Sequence, residues 1–228
     1  MFSSHSRLRL VQRRTIWLPT WLGLLCLGLF STVPLFCWLI YGEAFLSMTN
    51  RLPGEILVVE GWIGRDGVRA AGLELEQHGY AYVVTTGGLT SGDRWEEPGW
   101  SFAEGAEREL IRDGVAKDRI IVATARDVGR QRTFESAVAV WRALRARGIE
   151  PKTINVFTLG SHARRSRLVF AKVYGPKTQV GVISWTASHD VMVPWWRSSE
   201  RAREMITETV GYLYEAILNS GRRTNSPS

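Results

Sequence analysis

Cysteine is scarce in this sequence, and the two present, Cys26 and Cys37, both fall inside one apolar run. The rest of the chain therefore has no thiol for a disulfide or a cysteine metal site, which decides nothing about its redox compartment. Neither His162 nor His189 sits in an HxH or HxxxH spacing, so no transition-metal site is expected. GxGxxG and Walker sequences are also missing, which argues against ordinary dinucleotide and nucleoside triphosphate sites. Gly160-Ser161-His162 lacks the Gly-x-Ser-x-Gly elbow of a hydrolase nucleophile. Nor is there a basic face for nucleic acid. Of the 29 basic residues, Arg7, Arg9, Arg13, Arg14, Arg222 and Arg223 lie in the two terminal segments, and the remainder nearly balances the 22 acidic ones.

Charge is absent altogether from residues 15–41, directly after the four N-terminal arginines. A hydrocarbon core about 30 Å thick needs roughly 20 helical residues to cross it, so this run is long enough to span. A cleaved signal peptide is the rival reading. It would have an apolar region of about 7–15 residues followed by a small-residue cleavage site; no Ala-x-Ala-like site follows here. Cys26 comes after Leu24 and Leu25 rather than the small residues of a lipoprotein signal. Trp17 and Trp21 near one end, and Trp38 and Tyr41 near the other, resemble interfacial aromatic belts, and a membrane helix tolerates a proline such as Pro34. An uncleaved single-pass anchor in the cell inner membrane is expected. By the positive-inside rule its N-terminus is cytoplasmic and the remainder periplasmic. The expected organisation is a basic segment at 1–14, a transmembrane helix at 15–41, a linker at 42–54, one folded domain at 55–218 and a disordered tail at 219–228.

Within 55–218, short β-branched runs alternate with helical periods. Residues 55–60 (EILVVE), 80–86 (YAYVVTT), 119–123 (RIIVA), 153–159 (TINVFTL) and 179–185 (QVGVISW) read as strands, the first as one buried on both faces. Helical stripes separate them. The last helix carries Ala202, Met205, Ile206, Thr209, Leu213 and Ile217 on one face. This alternation predicts an α/β fold, a Rossmann-like α/β/α sandwich with a mainly parallel sheet of about five strands.

Such folds bind ligands at the carboxyl ends of their strands. Gly61, Trp62 and Arg65 follow the first strand. Gly87 and Gly88 follow the second, and either permit the turn alone or let the backbone approach a ligand. A loop from 89 to 100 with Ser91, Asp93 and Arg94 has the length of a lid. After the third strand come Arg126 and Arg132-Thr133, with Glu135 opening a helix. After the fourth, Ser161, His162, Arg164, Arg165 and Arg167 crowd a helix start. Cations there oppose the helix dipole unless an anion is bound, which points to phosphate or carboxylate. His162 is the acid/base candidate by its ordinary pKa. Trp62, Trp95, Trp100, Trp185, Trp195 and Trp196 all follow strands. They fit sugar stacking or headgroup contact and packing under loops equally well.

These motifs, in this order, resemble the YdcF-like family, and most closely its membrane-anchored SanA/ElyC branch. The likeness runs from the ILVVEGW strand, with Trp62 where a second glycine is usual, through Thr86-Gly87-Gly88 and an acidic residue opening the next helix, Glu104 or else Glu107. It continues with Thr133-Phe134-Glu135-Ser136, serine standing where the family has asparagine, and with His162-Ala163-Arg164-Arg165. The resemblance implies a polar pocket with His162 and Glu135 as catalytic candidates. Gly61, Gly87, Gly88, Glu104, Arg132, Thr133, Ser161 and Arg165 would bind the ligand, with no metal and no cofactor.

Anchored members are linked to envelope integrity, peptidoglycan assembly and the undecaprenyl-phosphate carrier. The expectation is a protein that binds or processes a phosphorylated or sugar-bearing lipid, with a non-catalytic factor recruiting a partner protein as the alternative. S-adenosylmethionine binding, associated with a cytosolic-type member, would require the domain to be cytoplasmic. Alkaline phosphatase fused to the C-terminus should be active in a bacterial host; activity only from a cytosolic reporter would reverse the orientation.

Overall fold

The five apolar runs meet in one sheet because each is buried on both faces and can only be covered by helices from both sides. The computed structural model describes residues 18–89, 100–126, 131–187 and 194–218. In it the order is α1 (Trp21–Leu46), β1 (Ile56–Glu60), α2 (Gly64–Gln77), β2 (Tyr82–Gly87), α3 (Phe102–Arg112), β3 (Ile120–Thr124), α4 (Arg132–Ala146), β4 (Thr153–Leu159), α5 (Ala163–Tyr174), β5 (Gln179–Trp185) and α6 (Ser199–Leu213), which ends in a π-helical turn, Tyr214–Leu218. All strand pairs are parallel and the spatial order is β3-β2-β1-β4-β5. The order reverses between β1 and β4, so their carboxyl ends flank the crevice where this architecture binds ligands.

Period-two alternation sorts the side chains into two cores. Val58, Val84, Val156 and Val182 face Phe134, Ala137, Leu144 and Phe170 of α4 and α5. Leu57, Val59, Val83, Phe157 and Ile183 face Val68, Ala71, Leu75, Ala106 and Leu110 of α2 and α3.

The chain forms two compact units, Met1–Ile40 and Tyr41–Ser228. The part of α1 in the first, residues 21–40, is apolar and mostly exposed, and the helix is long enough to cross a membrane and compatible with a single-pass anchor. Its hydroxyls are satisfied within the helix, Ser31 Oγ donating to Leu27 O at 2.9 Å and Thr32 Oγ1 to Gly28 O at 2.8 Å, as a lipid surround requires.

Residues 42–54, read from the sequence as a linker, belong to the folded body. Leu46 is fully buried. Asn50 bridges antiparallel to Val182, and Arg51 makes a two-point ion pair with Glu74 at 2.6 and 2.8 Å. Asn155, buried in β4, holds the strap directly. Its Oδ1 accepts from Leu52 N at 2.9 Å and its Nδ2 donates to Leu52 O at 2.7 Å. Asn155→Ala should strand both Leu52 groups and cost about 1–3 kcal/mol, read as a lowered melting temperature of the detergent-solubilised chain.

Candidate functional site

The apolar pattern of β1 breaks at its last residue. Glu60 lies on the same face as Val58, and its register partner Thr86 continues the Val84 face of β2. Thr158 ends the Val156 face of β4 in the same way. A polar row therefore caps the α4–α5 core at the carboxyl rim. Glu60 is only 1 % exposed, and a carboxylate so buried needs donors and a counter-charge. Thr158 Oγ1 donates to its Oε2, as does Ser166 Oγ at 3.0 Å. The counter-charge is His162, whose Nε2 lies 3.5 Å away.

His162 closes the turn Gly160–His162 between β4 and α5 and is itself buried. Its Nδ1 donates to Glu208 Oε1 at 3.0 Å. Glu208, on the inward face of α6, also receives the Arg165 fork, Nε to Oε2 at 2.7 Å and Nη2 to Oε1 at 2.9 Å. Gly211 makes room for that fork, since a Cβ there would meet Arg165 Cδ at 2.9 Å. The result is an alternating chain, Glu60–His162–Glu208–Arg165. Thr133 borders it, its Oγ1 accepting from Arg165 Nη1 at 3.3 Å and lying 3.5 Å from His162 Nε2. Ser161 Oγ donates to Glu204 Oε1 at 2.8 Å.

Burial alone would push the His162 pKa down, but the Glu60 charge and the Glu208 bond outweigh it and raise it to about 9, against the opposing charge of Arg165. Burial likewise pushes the Glu60 carboxyl up, and His162, Thr158 and Ser166 bring it below the ordinary range. For Glu208 the bonds from His162 and Arg165 overcome burial and hold it at about 2. The raised pKa favours the protonated ring at neutral pH, although Arg165 Nη2 also lies 3.0 Å from Nδ1. The ring suits a hydrogen-bond donor or general acid, and its Nε2–H is the weakly held end. Trp62 stands edge-on to it, ring centroids 4.9 Å apart, and is 37 % exposed.

The structure brings His162, Arg165, Thr133 and Ser161 together and leaves the other sequence candidates outside this network. Arg165, expected to hold an anion, has its fork filled by Glu208, because a largely enclosed guanidinium is best paired in the fold itself. Gly61 and Gly87, expected to let a ligand approach, are spaces for α3. A Cβ on Gly61 would lie 2.1 Å from Phe102 O, and one on Gly87, where φ is 152°, 2.6 Å from Phe102 Cβ. Gly88 alone faces open space. Glu104 is the N3 partner of a capping box, its Oε2 accepting from Ser101 N at 2.8 Å. Glu135 is half-buried and Arg132 exposed; neither side chain is hydrogen-bonded or ion-paired among the described residues. Ser91, Asp93, Arg94, Trp95 and His189 lie outside the described residues.

Glu60, Glu208 and Glu204 are the residues sequence reasoning missed. Period-two counting along EILVVE could have found Glu60, since it places the carboxylate on a buried face. Compared with protein-family models and with curated protein sequences, the chain matches none.

The pH dependence has two limbs. His162, raised from 6.5 to about 9, contributes stability that is full below pH about 6.5 and is lost as pH rises through about 9. Glu208, lowered from 4.5 to about 2, contributes above pH about 4.5 and loses it as pH falls through about 2, and Glu60, also lowered, acts in the same direction. The melting temperature should be highest between these limits. His162→Gln should abolish the alkaline limb and destabilise the plateau by about 3–5 kcal/mol by leaving the buried Glu60 without its counter-charge, while Glu208 keeps Arg165.

Proposed function

We propose that this chain is an anchored envelope protein of the SanA/ElyC type. In this reading its crevice between β1 and β4 receives a phosphorylated or sugar-bearing lipid or cell-wall intermediate at the periplasmic face of the inner membrane. The observation that carries it is the buried imidazole of His162 at the switch point of the sheet, with its Nε2 3.5 Å from Glu60 and the half-open ring of Trp62 beside it. An aromatic face next to a fixed donor suits a sugar, whose C–H face stacks while its hydroxyls accept. The phosphate falls to Arg126 and Arg132, both exposed at the same carboxyl edge, the second opening α4 where free N–H groups favour anions. If the site is catalytic, His162 donates a proton or hydrogen bond to an oxygen in the crevice, and Glu60 and Glu208 hold it charged.

A second reading, a non-catalytic integrity factor, is favoured by the closure of the ionic chain, in which every charge already has a partner. The two separate on Trp62, which can be changed without opening that chain. Trp62→Ala should lower the melting temperature modestly, the ionic chain staying closed, and weaken ligand retention by about 1 kcal/mol, or roughly fivefold. Mass spectrometry of lipids co-purifying with the full-length protein measures this. Equal recovery from both proteins, together with full complementation of envelope stress by Trp62→Ala, would sink the ligand-binding reading.

A further inference from the structure

The last helix is turned against its own hydrophobicity. Met205 and Glu208 face the body, while Ile206, Val210, Ile217 and Leu218 are 61, 62, 72 and 69 % exposed, with Leu213 and Tyr214 about half exposed between them. These six recur at helical spacing and form one unbroken outward face over α6 and its π-helical end. A soluble monomer rarely leaves so continuous an apolar strip in water.

Two features of the molecule identify its cover. First, α6 is fastened to the end of the apolar helix. Arg201 pairs with Glu43, and the Tyr212 ring lies edge-on to Phe45 with centroids 5.5 Å apart. Glu43 and Phe45 follow the charge-free run within a few residues, each adding about 1.5 Å of helix. The headgroup layer on each side of the hydrocarbon is itself about 5–7 Å deep. Second, the approach to α6 carries exposed Trp196 and Arg197, and Arg203 is exposed within its second turn. Aromatic and cationic groups flanking an apolar helix face are the composition of an interfacial helix on an anionic bilayer.

We propose that α6 and its π-helical end lie on the lipid surface, the six apolar side chains sunk into the headgroup–acyl boundary as a second membrane contact. The proposal rests on the single-pass reading of α1. It brings the helix that supplies Glu204 and Glu208 to the candidate site into the plane where a lipid-borne ligand would arrive.

The test uses the full-length chain with Cys26→Ser and Cys37→Ser, carrying Val210→Cys or, separately, Ile217→Cys. Each is labelled with a polarity-sensitive fluorophore and reconstituted into phosphatidylcholine–phosphatidylglycerol vesicles with and without nitroxide-bearing lipid. Both labels should shift to the blue and lose most of their emission to the nitroxide, unchanged as protein is diluted into excess lipid. A label at Lys117→Cys, exposed elsewhere on the body, should keep its emission. Labels on α6 that behave like the one at Lys117 overturn the proposal. A shift that disappears on dilution, or a disulfide-linked dimer through Val210→Cys, assigns the face to a second copy and overturns it equally. A label on native Cys26 in a Cys37→Ser chain reports the anchor independently. Quenching there with none on α6 rejects the surface helix while α1 stands.

Discussion

A carboxylate at the end of a strand that is buried on both faces is expensive to keep charged, and the architecture around Glu60 follows from that cost. Its hydroxyl donors, Thr158 and Ser166, come from β4 and α5, the two elements that cross the switch point. Its counter-ion must come from the same place, which fixes His162 in the turn between them. A protonated imidazole so enclosed needs a second carboxylate, and none is available on the sheet. Glu208 supplies it from α6, and Arg165 then neutralises Glu208. Each charge requires the next. A helix 46 residues away in sequence from His162 is thereby drawn in over the site.

That dependency explains the orientation of α6. Hydrophobicity alone would turn Ile206, Leu213 and Ile217 inward, but only one face of the helix can pack, and an unpartnered His162–Glu60 pair would cost several kcal/mol. The ionic requirement wins, so the apolar residues are displaced to the outside. The outward stripe is the complement of the inward carboxylates.

The five strands and their order along the chain were legible because buried β-branched runs bounded by glycine have few other readings. His162, Arg165, Thr133 and Ser161 were legible as neighbours, since all of them follow strands and strand ends converge. Their partners were less so. Glu60 was visible to period-two counting along its own strand, whereas nothing local marks Glu208, whose role is defined by a residue on another element. Gly61 and Gly87 show the limit from the other side. A glycine after a strand announces a close approach, but whether the approaching group is a ligand or Phe102 depends on where α3 begins. The segment 42–54 looked like a linker because its partners, Asn155 and Val182, lie more than a hundred residues further on.

The same helix now carries two kinds of contact. Through Arg201 and Tyr212 it holds Glu43 and Phe45 at the end of the apolar helix; through Glu204 and Glu208 it holds Ser161, His162 and Arg165. Arg201 and Tyr212 bracket Glu204 and Glu208 within about three turns of a stiff rod, so a displacement of one set must be felt by the other. Glu208 is where that displacement has chemical meaning, because its two oxygens hold both cations of the buried chain. Withdrawing them by even an ångström would leave His162 facing Glu60 alone and bring its proton closer to release. The strap over Asn155 and the pairing with α6 tie the rim of the site to residues 43–52, which directly follow the charge-free run.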